Sequence, residues 1–477
     1  MSSNKELEKL LVKRYDNAWT RIDNLEKKYV MEFCERYKKY LDKCKTEREC
    51  SLFMVEMAKK NGFKSIKDYI KNKEKIKVGD KIYGIFKDKT VVLFKIGKDD
   101  LENGMNIIGS HIDCPRLDLK QAPLYQDTEL AFFKTHYYGG IKKYQWTTIP
   151  LALHGIIVKE DGTKIDISVG ENEDEPVFFI TDLLPHLSRD QMSKKMNEIF
   201  SGEDLNILIG SIPIEDEDEK ESNNVKLSIL KILNDKYNIN EEDFASAELE
   251  IVPAGKSRDV GFDKGLIGGY GHDDRVCAFA SIEALFNIES TSRTCVAIMA
   301  DKEEIGSVGN TGMSSKYFEN TLNEIIYLLG YKERDIVLRR TLMNSKFLSA
   351  DVNAALDPNF PNTHDKYNAA YIGKGLLVTK YTGHKGKYSS NDANAEYIAE
   401  IRKLLNDNNI CWQMGEMGKV DLGGGGTIAY IPAQYGMDVI DVGIALMSMH
   451  APYEIASKVD IYMANRGFEA FYNTSFK

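Results

Sequence analysis

From about residue 255 onward, short apolar runs alternate with amphipathic ones. "RTCVAIMA", "KFLSA", "GLLVTKYT" and "DVIDVGIALMS" read as strands. "DDRVCAFASIEALFNI" and "NAEYIAEIRKLLNDN" read as helices, and so does the tail from Pro452. Such alternation implies a largely parallel sheet covered on both faces. Upstream, "NIIGSHID" is a short apolar strand that ends in charge, and "DKIYGIFKDKTVVLFKIG" reads as a hairpin around "KDK". Residues 5–70 read as charged helices. In one of them Phe53, Met54, Met57 and Ala58 share a face, and Gly62 suits its C-terminal end.

The texture differs from about residue 115 to 255. "FFKTHYYGGIKKYQW" is aromatic, "IPLALHGIIVKEDGTKIDISVG" reads as strand–turn–strand, and "VKLSILKILNDKYN" is an amphipathic helix. "EDEDEKESNN", from Glu215 to Asn224, reads as a solvated loop. A chain of 477 residues exceeds one ordinary core. The organisation expected is a discontinuous α/β domain, residues 1–114 and 256–477, interrupted by a β-rich domain, residues 115–255.

A net charge of -10 argues against nucleic-acid partners, which favour concentrated positive charge. The N-terminal stretch lacks the apolar core of a signal peptide, and no run approaches a membrane span. Seven scattered cysteines without a CxxC pair fit reduced thiols and a cytoplasmic setting.

The strands of the α/β region end alike. His111 and Asp113, Glu303 and Glu304, Asp351, and His450 each close an apolar run, and Asp273 and Asp274 precede a helix. Sites in open α/β sheets form outside the carboxyl ends of the strands. Five distant segments can therefore aim carboxylates and imidazoles into one crevice. No GxSxG, nucleophilic Cys–His pairing or P-loop offers a rival chemistry. Two imidazoles and at least three carboxylates suit zinc, cobalt or manganese. A pair of such ions activates water and polarises a carbonyl. The adjacent glutamates then divide the work, one as ligand and one as base, because neighbours on an extended chain face opposite sides.

"GSHIDCPRLDLK", "YGHDDRVCAFAS", "ADKEEIGS", "SADVNAALDP" and "MSMHAPYE" stand in family order and span residues 109–454. Together they resemble the aspartyl aminopeptidase family of metallopeptidases, to which the yeast vacuolar aminopeptidase also belongs. The resemblance implies a zinc-peptidase-type α/β/α catalytic domain with an inserted β-rich dimerisation domain. It implies an enzyme removing N-terminal residues from peptides, with two divalent ions per subunit, zinc first. His111, Asp273, Glu304, Asp351 and His450 match the metal ligands, with Asp273 bridging. Asp113 matches the carboxylate that orients His111, and Glu303 the general base for the attacking water. His186, in "LLPHLSRD", matches a residue that reaches a neighbouring subunit's substrate. The assembly implied is a homo-oligomer, a dodecamer of dimers.

Three segments depart from the family pattern. "YYGGIKKYQWTTIPLAL" replaces a typical "YGGG" segment, Asp273-Asp274 replaces Asp-Asn, and "GGGGTIAYIP" replaces "CGTTIGP". The metal set survives all three. A preference for acidic N-terminal residues does not carry over with it. "GHKGKYSSNDAN" around His384 reads equally as substrate loop or surface turn. Two other functions stand beside the peptidase: another two-metal amide hydrolase, an N-deacylase or carboxypeptidase, and a metal-dead assembly protein.

Overall fold

The structure, a computed structural model, describes residues 4–214, 223–383 and 385–476. Most of the acidic run from Glu215, and His384, lie outside them.

Three sheets organise the described chain. The largest has nine strands, and its middle is four parallel ones: Thr294–Ala300, Met105–His111, Lys346–Ala350 and Asp438–Gly443. Nearly every residue in these four is buried. That is why they read as unbroken apolar runs: each face of a parallel sheet meets helices. Alternate side chains feed two separate cores. Ile108, Ala297 and Ile440 join one, with helices Asn24–Lys43, His272–Asn287 and Lys458–Tyr472. Ile107, Ile298 and Val439 join the other, with Tyr317–Leu329 and Arg334–Met343. The expected hairpin, Lys81–Phe86 with Thr90–Lys95, forms an antiparallel flank beside them.

The second sheet is antiparallel, with six strands all drawn from residues 116–253. The helix Asn224–Tyr237 packs on it.

The third sheet, of five short strands, corrects two sequence readings. "DVIDVGIALMS" is two strands in two sheets: Asp438–Gly443 stays in the large one, and Ala445–Met447 joins the small one. The break falls at Gly443, where a Cβ would lie 1.9 Å from the carbonyl oxygen of Asp351. Only glycine permits that approach. The tail is not helical from Pro452. Glu454–Ser457 is a strand paired on both sides, and the helix Lys458–Tyr472 begins after it. Pairing with two distant strands overrides local helix propensity there.

A buried cation links the N-terminal helices to the six-stranded sheet. His154, on Leu151–Val158, is 2% exposed. Its Nδ1 lies 2.8 Å from Glu49 and its Nε2 3.1 Å from Glu171. Burial alone would drive its proton off, but the two carboxylates lift the imidazole from 6.5 to about 9. The folded protein thus holds this proton more tightly than the unfolded chain. The stabilisation is complete below pH 6.5 and disappears as pH rises through about 9. A shift of that size corresponds to about 3 kcal/mol. His154→Gln should therefore melt below the wild type at about pH 6, with the gap closing towards about pH 10. A gap that does not narrow would show that His154 does not titrate as described.

Candidate functional site

The four parallel strands open at one edge, and the expected residues gather there. His111 ends its strand, and Asp351 follows Lys346–Ala350. Glu303 and Glu304 follow Thr294–Ala300. Asp273 starts the helix His272–Asn287. His450 arrives by a different route, on the loop between Ala445–Met447 and Glu454–Ser457 of the small sheet.

The Asp273 carboxylate lies between the two imidazoles. One oxygen is 3.2 Å from His111 Nε2 and the other 3.2 Å from His450 Nε2. Around this axis, Asp351 lies 3.8 Å and Glu303 3.9 Å from His111 Nε2. Glu304 lies 3.5 Å from His450 Nε2. Both rings are held by their other nitrogen. His111 Nδ1 donates to the Asp113 carbonyl at 3.0 Å, and His450 Nδ1 to the Gly140 carbonyl at 2.8 Å. A carbonyl only accepts, so each Nδ1 carries a proton and each Nε2 is the nitrogen offered to the cleft.

The two glutamates are not on an extended chain, so alternation does not separate them. They open a 3₁₀ turn, Glu303–Ile305, between Lys302 at φ 70° and Gly306 at φ 94°. The tighter turn rotates successive side chains by about 120°. Asp113 holds that turn. Its carboxylate accepts the backbone N–H of Glu303 at 3.1 Å and of Glu304 at 3.2 Å, and the Tyr138 hydroxyl at 2.8 Å. It also lies 3.4 Å from His111 Nδ1. Asp113 thus does more than orient one imidazole: it fixes both glutamates by their backbone.

Burial and crowding shift the charges. Burial pushes Glu303 up to about 8 and raises Glu304 and Asp351 as well. Burial works against the charged form of Asp273 too, but both imidazoles hold its carboxylate below the ordinary range. Burial opposes the proton of His450, yet Asp273 and Glu304 lift the ring to about 10. The set carries more negative charge than its imidazoles neutralise. Glu304 Oε1 and both oxygens of Asp274 are buried without a hydrogen-bond partner. Donor atoms of His111, Asp273 and Glu304 lie within 4.8 Å of one another, as do those of His111, Asp274 and Asp351. Nitrogen and carboxylate donors at this spacing fit divalent zinc, manganese or cobalt.

A family model described as "Aminopeptidase I zinc metalloprotease (M18)" matches residues 40–472. The chain belongs to the M18 family of metal-dependent aminopeptidases. It is 54% identical over 463 residues to "Probable M18 family aminopeptidase 1" of Clostridium acetobutylicum, covering 97% of this chain and 99% of that one. The crystal structure of the M18 aminopeptidase from Thermotoga maritima superposes with a TM-score of 0.92 at 42% identity, covering 97% of this chain and 99% of that one. A yeast mApe1 dodecamer shares the fold at TM-score 0.73 and 22% identity, covering 93% of this chain and 96% of that one.

Four participants in this M18 cleft escaped the sequence reading. Tyr138 and Gly140 come from "HYYGG", at the end of a strand of the six-stranded sheet. Gly139, at φ 72°, turns the chain where a Cβ would press on Glu304 at 3.3 Å. Glu454 is buried and accepts the N–H of His450 at 2.7 Å and of Asp273 at 3.2 Å. Asp274, which the sequence reading set second to Asp273, is wholly buried beside His111 and Asp351. A paired "HDD" and an acid four residues after a histidine were the available signals, and neither distinguishes ligand from support. His186 is exposed and does not line the cleft of its own chain.

Proposed function

We propose that this chain is a dinuclear aminopeptidase that hydrolyses the first peptide bond of peptides with a free α-amine. The observation that carries the reading is the Asp273 carboxylate equidistant from two imidazoles, each aimed by a carbonyl. His111, Asp273 and Asp351 would hold one ion, and Asp273, Glu304 and His450 the other. Zinc is the family's metal, and cobalt or manganese suits the same donors. Ions so held lower the pKa of water and polarise the scissile carbonyl. Glu303 lines the cleft 3.9 Å from His111 Nε2, where a carboxylate exchanges a proton with the attacking water. It takes the proton of the attacking water and passes it to the leaving amine. Asp113 positions Glu303 and Glu304 through their N–H groups.

Residues 115–255 form an inserted dimerisation domain in this reading, with residues 1–114 and 256–477 as the catalytic one. Leu183, Leu184, Leu187, Met192 and Met196 are exposed apolar residues around His186, as an oligomer contact requires. The assembly is a dodecamer built from dimers, after the distant yeast relative, and His186 serves a neighbouring subunit's cleft. The seven cysteines are unpaired, which fits a reducing cytoplasm. No helix among the described residues is long and apolar enough to cross a membrane.

Chelation should abolish hydrolysis of aminoacyl substrates, and zinc, cobalt or manganese should restore it. A peptide with a blocked amine should resist cleavage, and one with a blocked carboxylate should not. Cleavage of the amine-blocked peptide would point to an N-deacylase or carboxypeptidase instead.

A further inference from the structure

We propose that Arg116 is a positioning residue for the hydrolysis: it fixes the Tyr138 hydroxyl on Asp113 and, through Asp113, the turn that carries Glu303 and Glu304. The inference rests on the reading of Glu303 as the base and adds a residue that does not line the cleft. Arg116 opens the strand Arg116–Asp127 and is the direct cross-strand partner of Tyr138, which ends Leu130–Tyr138. Side chains paired in this way stand on one face of the sheet. The guanidinium carbon lies 3.9 Å from the centre of the Tyr138 ring. A cation at that distance over a ring face is attracted to it, the more so away from water.

Carboxylates fix the same cation. Arg116 Nε lies 2.8 Å from Asp118 and 3.2 Å from Glu250, and its Nη1 lies 3.4 Å from Glu47. Glu250 stands on the strand Ala247–Pro253 and Glu47 on the helix Glu47–Lys60. Arg116, Glu47 and Glu250 are all buried. A buried guanidinium in such a set cannot swing away without stranding charge. The ring beside it is therefore clamped, and its hydroxyl stays on Asp113 Oδ2 at 2.8 Å. The same oxygen accepts the Glu304 N–H, and Oδ1 accepts the Glu303 N–H. Of these three donors, only the hydroxyl comes from the six-stranded sheet. Without it, Asp113 is held by the very turn that it should hold. The Glu303 carboxylate then drifts from its place beside His111, and a misplacement of about 1 Å costs up to about 100-fold in rate.

The test is a double-mutant cycle on the zinc-loaded full chain with leucine p-nitroanilide, kcat being taken per zinc-loaded subunit. Tyr138→Phe keeps the ring and removes only the hydroxyl. It should lower kcat by about 10-fold, with KM within about 2-fold and bound zinc unchanged. Arg116→Lys keeps a charge for the three carboxylates but loses the flat fork, and should lower kcat by about 3-fold or more. The double variant should fall no further than Tyr138→Phe alone, because both changes break one chain of contacts. Arg116→Met should match Tyr138→Phe; if it fails to fold, the lysine cycle decides alone. Losses that multiply in the double variant would overturn the inference, since Arg116 would then act by another route. Arg116 variants that melt lower but keep wild-type kcat would also overturn it, leaving Arg116 a merely structural residue. Neither result touches the base reading, which falls only if Glu303→Gln keeps its turnover.

Discussion

Replacing Glu303 with glutamine lowers kcat on aminoacyl substrates by about 10³-fold and leaves the bound metal unchanged. The magnitude is that of a lost general base. The amide keeps the size and hydrogen-bonding reach of the carboxylate but takes no proton. The other half of the expectation comes from how the turn is anchored. The Glu303 N–H, not its side chain, holds residues 303–305 to Asp113. The substitution leaves that bond intact, so Glu304 stays facing His450. Elemental analysis and single-turnover kinetics on the same preparation check both halves. Wild-type turnover would remove Glu303 from the reaction. Loss of metal along with activity would make it a ligand rather than a base.

Asp273→Ala has a different signature. Its two oxygens each face a different imidazole at 3.2 Å. Removing the carboxylate takes a donor from both positions at once and leaves His111 and His450 facing each other without the charge between them. Turnover should fall to background, and metal content should drop at both positions. His450→Ala removes a donor from one position only, so it should retain the ion beside His111. Titration with zinc followed by equilibrium dialysis separates the two variants. Equal stoichiometry in both would show that Asp273 does not bridge.

Much of this cleft was legible because parallel sheets impose a rule. Strands buried on both faces read as plain apolar runs, and the polar residues that close each run fall at the sheet edge. His111, Asp351 and the Glu303–Glu304 pair follow from that rule. His450 reached the right place for the wrong local reason. The run leading to it passes from one sheet to another at Gly443, and the residues on both sides of that break are buried alike. The turn that carries the glutamates was hidden for a related reason. Nothing in "DKEEIGS" reports that Asp113, 190 residues earlier, binds its two N–H groups. Tyr138 and Gly140 lay in a segment read as part of another domain, so no local pattern tied them to the cleft. The large and six-stranded sheets were anticipated in outline. The five-stranded one was not, because its strands are short and come from three distant stretches.

The Gly140 carbonyl and the Tyr138 hydroxyl set a limit on how this enzyme can be cut down. Residues 115–255, read as an inserted domain, invite exchange for a short linker. Excision would also release the Nδ1 proton of His450 from its acceptor and leave Asp113 short of one donor. A trimmed or chimeric version must keep the end of Leu130–Tyr138 and the two glycines after it. The boundary that matters for redesign is therefore not the edge of a sheet but the last peptide group that touches an imidazole.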